Sequence, residues 1–432
     1  MSMITRASEW RRQAGRGAAL SFFLLGLGFP AQGASAQTQS LAAAVATADS
    51  VVAAAVAQGV IPGAQMLIAV DGKVLLERAY GYAQLNDFSN QRLASPRPLR
   101  TSTLFDLASV TKVMAATYAV MVLVDQGRID VDAPVHRYLP DFRGPHLDSI
   151  TVRHLLTHTA GFVQWQPLYY MGSTKAQTYR TIREMPLQWG VGQGRHYSDL
   201  GFMMLGYLVE KVSGSPLDVF LHDSLYGPLG LRSTTYNPKA RGHTDFAVTE
   251  SGNGYERKMV HDTSFGYRYR GDPAAWNGWR QYVLDGETND GNAWYANGGV
   301  AGHAGLFSTA GELKVLLEVL LGRGSYKGRQ YLKPEVVELF LKPGAHLGWA
   351  ETNNAPPTSF SHGGFTGTYV IGVPEAKLAF ILLTNRQNLG ANAQGYFTNV
   401  GPISQGALRP LIAALLPTFV PARPDSSRRR AP

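Results

Sequence analysis

A serine and a lysine three positions apart form the pair in this chain best suited to covalent chemistry. Ser109 and Lys112 lie in the stretch Phe-Asp-Leu-Ala-Ser-Val-Thr-Lys over 105–112, which continues into an apolar run with helical spacing. Residues three apart share one face of a helix. A serine hydroxyl becomes nucleophilic only with a base within hydrogen-bond reach, and a lysine can serve if its surroundings lower its pKa. The pair predicts an activated serine, although this spacing also arises by chance.

A second cluster begins a helix that the apolar pattern predicts over 200–213. It is the tripeptide Tyr197-Ser198-Asp199. A phenol beside a lysine ammonium can have its pKa lowered enough to act as a base. The alternative is structural: Ser198 or Asp199 caps the helix and Tyr197 only packs.

A third cluster is the glycine-rich run from His362 through Gly363, Gly364 and Phe365 to Gly367, at the opening of a strand predicted over 365–374. Small residues let a substrate approach the strand backbone, where a free N–H can donate to an oxyanion. A plain glycine-rich entry to a strand is the alternative.

The order Ser-x-x-Lys, Tyr-x-Asp and His-x-Gly is more specific than any of its parts. With it, the chain resembles the penicillin-recognising serine hydrolases, and within them the class C β-lactamase-like group. The resemblance covers roughly 40–416 and is also carried by the stretches 127–135, 155–161, 225–231 and 298–310. Through 298–306 the chain is similar to penicillin-binding protein 4B-type enzymes and to exolytic muramoyl-alanine amidases.

The resemblance implies an α/β (α+β) fold in which helices flank an antiparallel sheet and a mostly helical subdomain is inserted. The pattern of elements predicts the same, since strand-like runs lie at both ends, with a hairpin over 64–80 turning at Asp71-Gly72. We expect a sheet subdomain at about 37–100 and 300–417, and a helical subdomain at about 101–299.

The resemblance also implies roles for individual residues. Ser109 would be the acylated nucleophile, and Tyr197 the general base and acid. Lys112 would accept the proton or tune Tyr197, and the backbone N–H groups of Ser109 and Phe365 would form the oxyanion hole. The residues assigned to the oxyanion hole or to substrate binding are Phe365, Asp199, His362, Gly364, Asn385, Arg386 and His303.

Two positions depart from the family pattern. Asp199 stands where asparagine is usual, and an ionised carboxylate can only accept hydrogen bonds, from Lys112 or from a substrate N–H. His362 stands where lysine is usual and carries little charge near neutral pH, which weakens a site for a substrate carboxylate. Arg386 could supply that charge, although we favour its interpretation as a surface cation. The acyl donor is therefore left open.

Other candidates have structural interpretations that we prefer. His158 is interpreted as a hydrogen-bonded structural residue, and His303 as structural rather than substrate-binding. A metal site of His303 and Asp290 has no support from spacing, so no metal and no cofactor is predicted. The segment 255–295, rich in Trp and Tyr, is expected to pack onto the body rather than to stack on sugar rings.

The two ends of the chain are expected to lie outside the fold. Residues 1–36 have a basic start, a short apolar run and Ala34-Ser35-Ala36, which predicts a secretory signal cleaved near Ala36; an uncleaved anchor is the alternative. Without this segment, which has four arginines and one glutamate, the formal charge of +9 falls to +6. Residues 418–432 are predicted to be a disordered basic tail. No cysteine is present, which excludes thiol catalysis and disulfides.

These observations predict a periplasmic or secreted serine hydrolase that acts through an acyl-enzyme on Ser109. The favoured activity is that of a D-alanyl-D-alanine carboxypeptidase on cell-wall peptide. A carboxylesterase of the same fold is the first alternative, followed by a muramoyl-L-alanine amidase or a weak β-lactamase. A non-catalytic penicillin- or peptidoglycan-binding module is the alternative of a different class. We expect a peptide or a small ester or amide as partner, no nucleic acid, and at most peripheral association with the envelope.

Overall fold

A computed structural model describes residues 32–267, 269–352 and 354–417. Most of the predicted signal segment and the whole predicted basic tail lie outside these described residues. The main layer is a six-stranded antiparallel sheet with the order β10-β11-β12-β1-β2-β3. A small sheet with the order β5-β7-β4-β6 and a two-stranded β8-β9 ribbon complete the strands. The predicted fold, an antiparallel sheet flanked by helices, is confirmed.

The strands are β1 Gly63–Val70, β2 Lys73–Asn86, β3 Arg92–Pro98, β4 Leu104–Asp106, β5 Thr235–Tyr236, β6 Phe246–Ala247, β7 Leu306–Ser308, β8 Ser325–Tyr326, β9 Arg329–Gln330, β10 Phe360–Gly363, β11 Tyr369–Val373 and β12 Leu378–Thr384. The predicted β1–β2 hairpin is confirmed, with its turn at Asp71 and Gly72, both of which have positive φ. The strand predicted over 365–374 is partly wrong. His362 lies in β10, residues 364–368 form a turn, and the next strand begins at Tyr369.

The α-helices are α1 Gln32–Ala57, α2 Tyr118–Asp125, α3 Val152–Leu156, α4 Lys175–Glu184, α5 Asp199–Ser213, α6 Leu217–Leu221, α7 Gly254–His261, α8 Gly291–Asn297, α9 Ala310–Leu321, α10 Pro334–Phe340 and α11 Gly401–Leu415. Helix α5 ends as predicted at Gly214, which adopts φ +77° and so closes the helix in a left-handed conformation. Helices α2 to α8 all lie between β4 and β7 in the chain, which agrees with the predicted helical insertion.

The centre of the main sheet, at β1 and β12, is buried on both faces. In β1, Met66 and Ile68 point into a core shared with α1 and α11, whereas Leu67 and Ala69 point into the larger core shared with α2, α5 and α9. This alternation follows from the two-residue period of a strand. Helices thus pack on both faces at the centre of the sheet, and the helical insertion contributes to the larger of the two cores.

Two described stretches are long and apolar enough to cross a membrane by length and composition. The stretch Ala108–Asp125 is 83% buried, as a core helix of a folded protein is, and it carries the Ser-x-x-Lys pair. The other, Ser40–Ala57, belongs to α1 and packs against α11. Length and apolarity therefore do not assign either to a membrane.

Candidate active site

The backbone around Ser109 is strained and held by a buried carboxylate. Ser109 is in a single 3₁₀ turn, Ala108–Val110, and the preceding Ala108 has φ +45°, which is unusual for a residue with a Cβ. The Ala108 N–H donates to Asp106 Oδ1 (2.8 Å), and the N–H of Asn289 donates to Asp106 Oδ2 (2.6 Å). Burial raises the pKa of Asp106 to about 6, against the effect of these two bonds. Asp106 thus fixes the turn that presents the serine, a role that the sequence analysis missed.

The structure brings Ser109, Lys112 and Tyr197 together. Lys112 Nζ donates to Ser109 Oγ (2.9 Å), and the Tyr197 hydroxyl donates to the same oxygen (2.9 Å). Lys112 begins a π-helical stretch, Lys112–Thr117, and its side chain is fully buried. Its ammonium also donates to the His303 carbonyl (3.2 Å) and forms an ion pair with Asp199 Oδ1 (2.6 Å). Both candidate bases thus lie within hydrogen-bond reach of Ser109 Oγ, which an activated serine nucleophile needs.

The electrostatics do not meet the condition under which Lys112 could act as the base, which is a lowered pKa. Burial alone lowers the pKa of Lys112, but the negative charge of Asp199, with Tyr197, raises it above its ordinary value. For Tyr197, burial raises the pKa, and the nearby Lys112 only partly opposes this. In the resting enzyme Lys112 is therefore an ammonium and Tyr197 a neutral phenol. The negative charge of Asp199 stabilises both protonated forms, an effect that a neutral asparagine would lack.

Tyr197 is positioned by a strained histidine. His158 has φ +58°, and its Nδ1 accepts the Ser198 N–H (3.1 Å). Its ring lies 4.5 Å from the Tyr197 ring, centroid to centroid, and burial holds its pKa well below the usual range. Ser198 Oγ caps α5 by accepting the Gly201 N–H (3.4 Å). His158 has the structural role that the sequence predicts, and the capping serine leaves Tyr197 directed at the nucleophile.

The glycine-rich turn is fastened to the serine segment by two threonines. Thr366 Oγ1 donates to the Asp106 carbonyl (2.8 Å), and Thr368 Oγ1 donates to the Leu107 carbonyl (2.9 Å). Gly364 allows this close approach, because a Cβ there would lie 2.4 Å from the Leu107 oxygen. Phe365, in the same turn, lines a cavity together with Ser109. The oxyanion hole formed by their two N–H groups remains a prediction that this placement favours.

Two residues assigned to substrate binding have other roles. Arg386 Nε and Nη2 both donate to the Phe365 carbonyl (3.1 and 2.6 Å), and its Nη1 donates to the Thr398 carbonyl (2.6 Å). Asn385 is buried, and its Nδ2 donates to two carbonyls of β2. The favoured interpretation of Arg386 as a surface cation is thus wrong, because its guanidinium is partly buried against backbone carbonyls. Both side chains brace the backbone, and their assignment to substrate binding stays a prediction.

His362 reaches the cavity but is uncharged. Its Nδ1 lies 2.8 Å from the Gly363 carbonyl, and the side chain lines the cavity beside Ser109. Burial, with the charge of Lys112, lowers the pKa of His362 to about 3. The expectation that it carries little charge agrees with this environment, so His362 does not supply a carboxylate-binding charge at neutral pH.

The cavity in front of Ser109 has a volume of about 430 Å³. Its wall includes Tyr197, Asp199, His362 and Phe365 from the predicted site, Gly363 and Asp290, which the sequence analysis also considered, and residues that it did not propose. The latter are Ala108, Gln164, Trp165, Arg195, Tyr255, Glu256, Met259, Tyr267, Asn289, Ala304 and Ala350. A larger groove of about 1220 Å³ shares Gln164, Trp165 and Tyr267 with this cavity and extends outward. Substrate therefore has a small chamber at the serine and a wide approach to it.

His303 and Asp290 form a pair behind the cavity. His303 is buried, and its Nε2 lies 2.8 Å from Asp290 Oδ1, which also caps α8 by accepting the Ala293 N–H (2.8 Å). Burial alone would raise the pKa of Asp290, but His303 holds it below its usual range. No group of three or more His, Cys, Asp or Glu side chains in the described part of the chain is arranged to hold a metal ion. The pair anchors the carbonyl that binds Lys112, which agrees with the structural interpretation of His303.

The aromatic segment packs largely onto itself and onto Tyr169. The Tyr169 ring lies 4.8 Å from Trp276 and 5.2 Å from Tyr295. Trp165 and Tyr267, 5.6 Å apart, reach the cavity wall. The preferred interpretation, packing onto the body, accounts for most of these rings.

Comparison with known proteins agrees with this geometry. The sequence model of the β-lactamase family matches residues 48–401. The chain belongs to the β-lactamase family. Members of this family with the same fold are serine hydrolases, which gives Ser109 and its two partners their chemical context.

Two relatives of this β-lactamase-family protein have names that refer to the cell wall. It is 33% identical over 357 residues to the N-acetylmuramyl-L-alanine amidase of Bacillus subtilis (strain 168), covering 76% of this chain and 78% of that protein. It is 32% identical over 356 residues to a Salmonella agona (strain SL483) protein with the provisional name D-alanyl-D-alanine carboxypeptidase, covering 75% and 79%.

Solved structures share the fold at lower identity. EstCE1, described as a hydrolase with promiscuous acyltransferase activity, has a TM-score of 0.62 at 24% identity, covering 87% of this chain and 99% of that one. A class C β-lactamase from Rhodobacter sphaeroides has a TM-score of 0.58 at 17% identity, covering 86% and 99%. At such identities these structures support the fold alone.

Proposed function

We propose that this β-lactamase-family protein is an exported D-alanyl-D-alanine carboxypeptidase that hydrolyses cell-wall peptide through an acyl-enzyme on Ser109. The observation that carries the proposal is the position of Ser109 Oγ, 2.9 Å from both Lys112 Nζ and the Tyr197 hydroxyl. The relative named as a carboxypeptidase supports the choice of substrate. The signal-like N-terminus supports export, which sequencing the N-terminus of the protein recovered from the envelope would test.

In the proposed reaction, Ser109 Oγ attacks the peptide carbonyl while its proton passes to a deprotonated Tyr197. The backbone N–H groups of Ser109 and Phe365 stabilise the oxyanion, and Tyr197 then protonates the departing D-alanine. Water hydrolyses the acyl-enzyme by the reverse proton transfers. Lys112 lowers the free energy of the phenolate by its positive charge, which explains why it is buried against Tyr197.

A muramoyl-L-alanine amidase is a second candidate, favoured by the similarity to the Bacillus subtilis amidase. Both reactions release an amine from an amide through the same acyl-enzyme, so the geometry at Ser109 serves either. They differ in the acyl donor, which is a peptide in the first and a lactyl ether of an amino sugar in the second.

The test uses purified protein with three substrates: a D-Ala-D-Ala peptide, a muramoyl-L-alanyl peptide and a short-chain nitrophenyl ester. Intact-mass measurement after incubation with a fluorescent penicillin detects the acyl-enzyme directly. Ser109→Ala is expected to lose every activity and the adduct, whereas Ser102→Ala, a control at an exposed serine seven residues away, is expected to keep them.

The outcomes separate the candidates. Release of D-alanine supports the carboxypeptidase, and cleavage of the muramoyl amide alone supports the amidase. Ester turnover without cleavage of either amide would instead establish the carboxylesterase, which the uncharged His362 favours. Equal inactivity of wild type and Ser109→Ala toward all substrates would refute the acyl-enzyme proposal and leave a binding module.

A further inference from the structure

The charged side chains of the cavity wall are paired or buried, with one exception. Asp199 forms an ion pair with Lys112, and Asp290 is paired with His303. Each pair places a carboxylate oxygen within 2.8 Å of its partner nitrogen. Both carboxylates are therefore held by partners within the protein.

Two other ionisable groups of the cavity wall are buried. Glu256 Oε1 accepts the Gly291 N–H (2.7 Å), and burial raises the pKa of Glu256 well above its usual range. Burial, with the charge of Lys112, lowers the pKa of His362 to about 3, so this ring is uncharged at neutral pH. Neither group offers a cation to a ligand.

Arg195 is the exception. It lies in the cavity wall with Ser109, its side chain is exposed, and within the described ranges no carboxylate is at ion-pair distance from it. Its positive charge is felt in the site, because it contributes to the lowered pKa of both His158 and His362. An exposed arginine is the cation that binds carboxylates best, since its planar fork can donate two parallel hydrogen bonds.

The loop that carries Arg195 is fixed on both sides. The Gly192 N–H donates to the Thr159 carbonyl (2.8 Å), and the His196 N–H donates to the His158 carbonyl (2.8 Å). The His196 ring stacks on Trp189 at 3.8 Å with an interplanar angle of 1°. Arg195 is therefore presented from a braced backbone, two residues before Tyr197, and only its side chain has freedom.

We propose that Arg195 binds the carboxylate of the substrate at the mouth of the cavity and so makes the enzyme selective for acyl donors that carry a free carboxylate. Arg195 would supply the positive charge for a substrate carboxylate. His362 is uncharged, and the guanidinium of Arg386 donates to the Phe365 carbonyl. The assignment rests on the proposed function, because the carboxylate in question is the C-terminus of the cell-wall peptide.

The test measures binding without requiring peptide turnover. The hydrolysis of a neutral nitrophenyl ester is inhibited by a D-Ala-D-Ala peptide with a free C-terminus and, separately, by the same peptide as its C-terminal amide. The ratio of the two inhibition constants measures the preference for a carboxylate. Hydrogen bonds to charged groups predict that wild type prefers the acid by about 10- to 100-fold.

Variants assign this preference to one residue. Arg195→Gln is expected to bring the ratio close to one, and Arg195→Lys to retain part of it, because the charge stays while the fork is lost. Arg180→Gln is the matched control, an exposed arginine of α4 outside the cavity wall, and should keep the wild-type ratio. Folding of each variant is checked by its melting temperature.

Two outcomes would overturn the assignment: a wild type that does not distinguish acid from amide, or an Arg195→Gln variant that still does. Failure of the proposed function has a different signature. There the wild type releases no D-alanine from the free-acid peptide, or Ser109→Ala hydrolyses the ester as fast as the wild type does. The ester reaction thus reports on Ser109, and the acid-to-amide ratio reports on Arg195.

Discussion

Replacing Asp199 with asparagine should lower the pKa of both Lys112 and Tyr197. The carboxylate oxygen lies 2.6 Å from Lys112 Nζ and raises the pKa of both Lys112 and Tyr197. At an effective dielectric constant of about 20, two unit charges at that distance attract by about 6 kcal/mol, an upper limit of between four and five pKa units. Relaxation and partial solvation reduce the usual effect of one neighbouring charge to about 1 to 3 units.

The sign follows from the mechanism. The active form has lost the proton that Ser109 must transfer, so kcat/KM rises with pH through the pKa of the base. Without Asp199 that pKa falls, and the rising limb should move to lower pH by about 1 to 3 units. An asparagine oxygen can still accept a hydrogen bond from Lys112, which limits the cost of leaving this amine buried.

The assay is the pH dependence of kcat/KM for a neutral nitrophenyl ester, whose own ionisation does not change over the range. Asp218→Asn is the matched control, because Asp218 forms its ion pair with Arg241 at 3.0 Å, away from the cavity wall. A limb that stays in place in Asp199→Asn, or that moves to higher pH, would refute the role given to this carboxylate. Melting temperatures establish that both variants are folded.

Three further changes test the backbone and the buried charges. Gly364→Ala should lower kcat/KM at least about tenfold and destabilise the fold by about 1–3 kcal/mol, because its Cβ would lie 2.4 Å from the Leu107 oxygen. Gly363→Ala is the control and should do neither, since the nearest atom to its Cβ is 3.8 Å away. Equal effects of the two substitutions in activity and thermal-unfolding assays would contradict this prediction. Glu256 has a raised pKa in the folded state, so its contribution to stability is complete below pH 4.5 and is lost as the pH rises through the folded pKa. Glu256→Gln should therefore reduce the fall in unfolding free energy between pH 4 and 9 by about 1.4 kcal/mol per unit of pKa shift removed. Denaturant titrations over this pH range measure it, and an unchanged fall would contradict the prediction. Arg386→Gln should lower kcat for the ester while keeping the acid-to-amide inhibition ratio, and a lost ratio would return this arginine to substrate binding.

Local patterns in the sequence predicted much of the fold. The β1–β2 hairpin and α5 with its closing glycine are each specified within a few residues by alternation, helical spacing and turn chemistry. The Ser109 and Lys112 pair is local in the same sense. Tyr197 lies 88 residues from Ser109, and only the resemblance to a family brought it to the site.

The remaining features depend on tertiary contacts that no local pattern encodes. The pKa of Lys112 is set by a carboxylate from another helix, which opposes the effect of burial. Arg386 was misinterpreted because nothing near it in sequence shows that the Phe365 carbonyl accepts its guanidinium. Arg195 gave no sequence signal, since only the cavity distinguishes it from other exposed arginines.

The threonine bonds between the glycine-rich turn and the serine segment also constrain how the enzyme matures. They join residues separated by 260 and 261 positions, and β1 pairs with β12, the last strand of the sheet. During synthesis Ser109 therefore leaves the ribosome long before the glycine-rich turn that is fastened to it has been made. A nascent or truncated chain that ends before β12 cannot assemble the site, so hydrolytic activity is withheld until almost the whole polypeptide has been made.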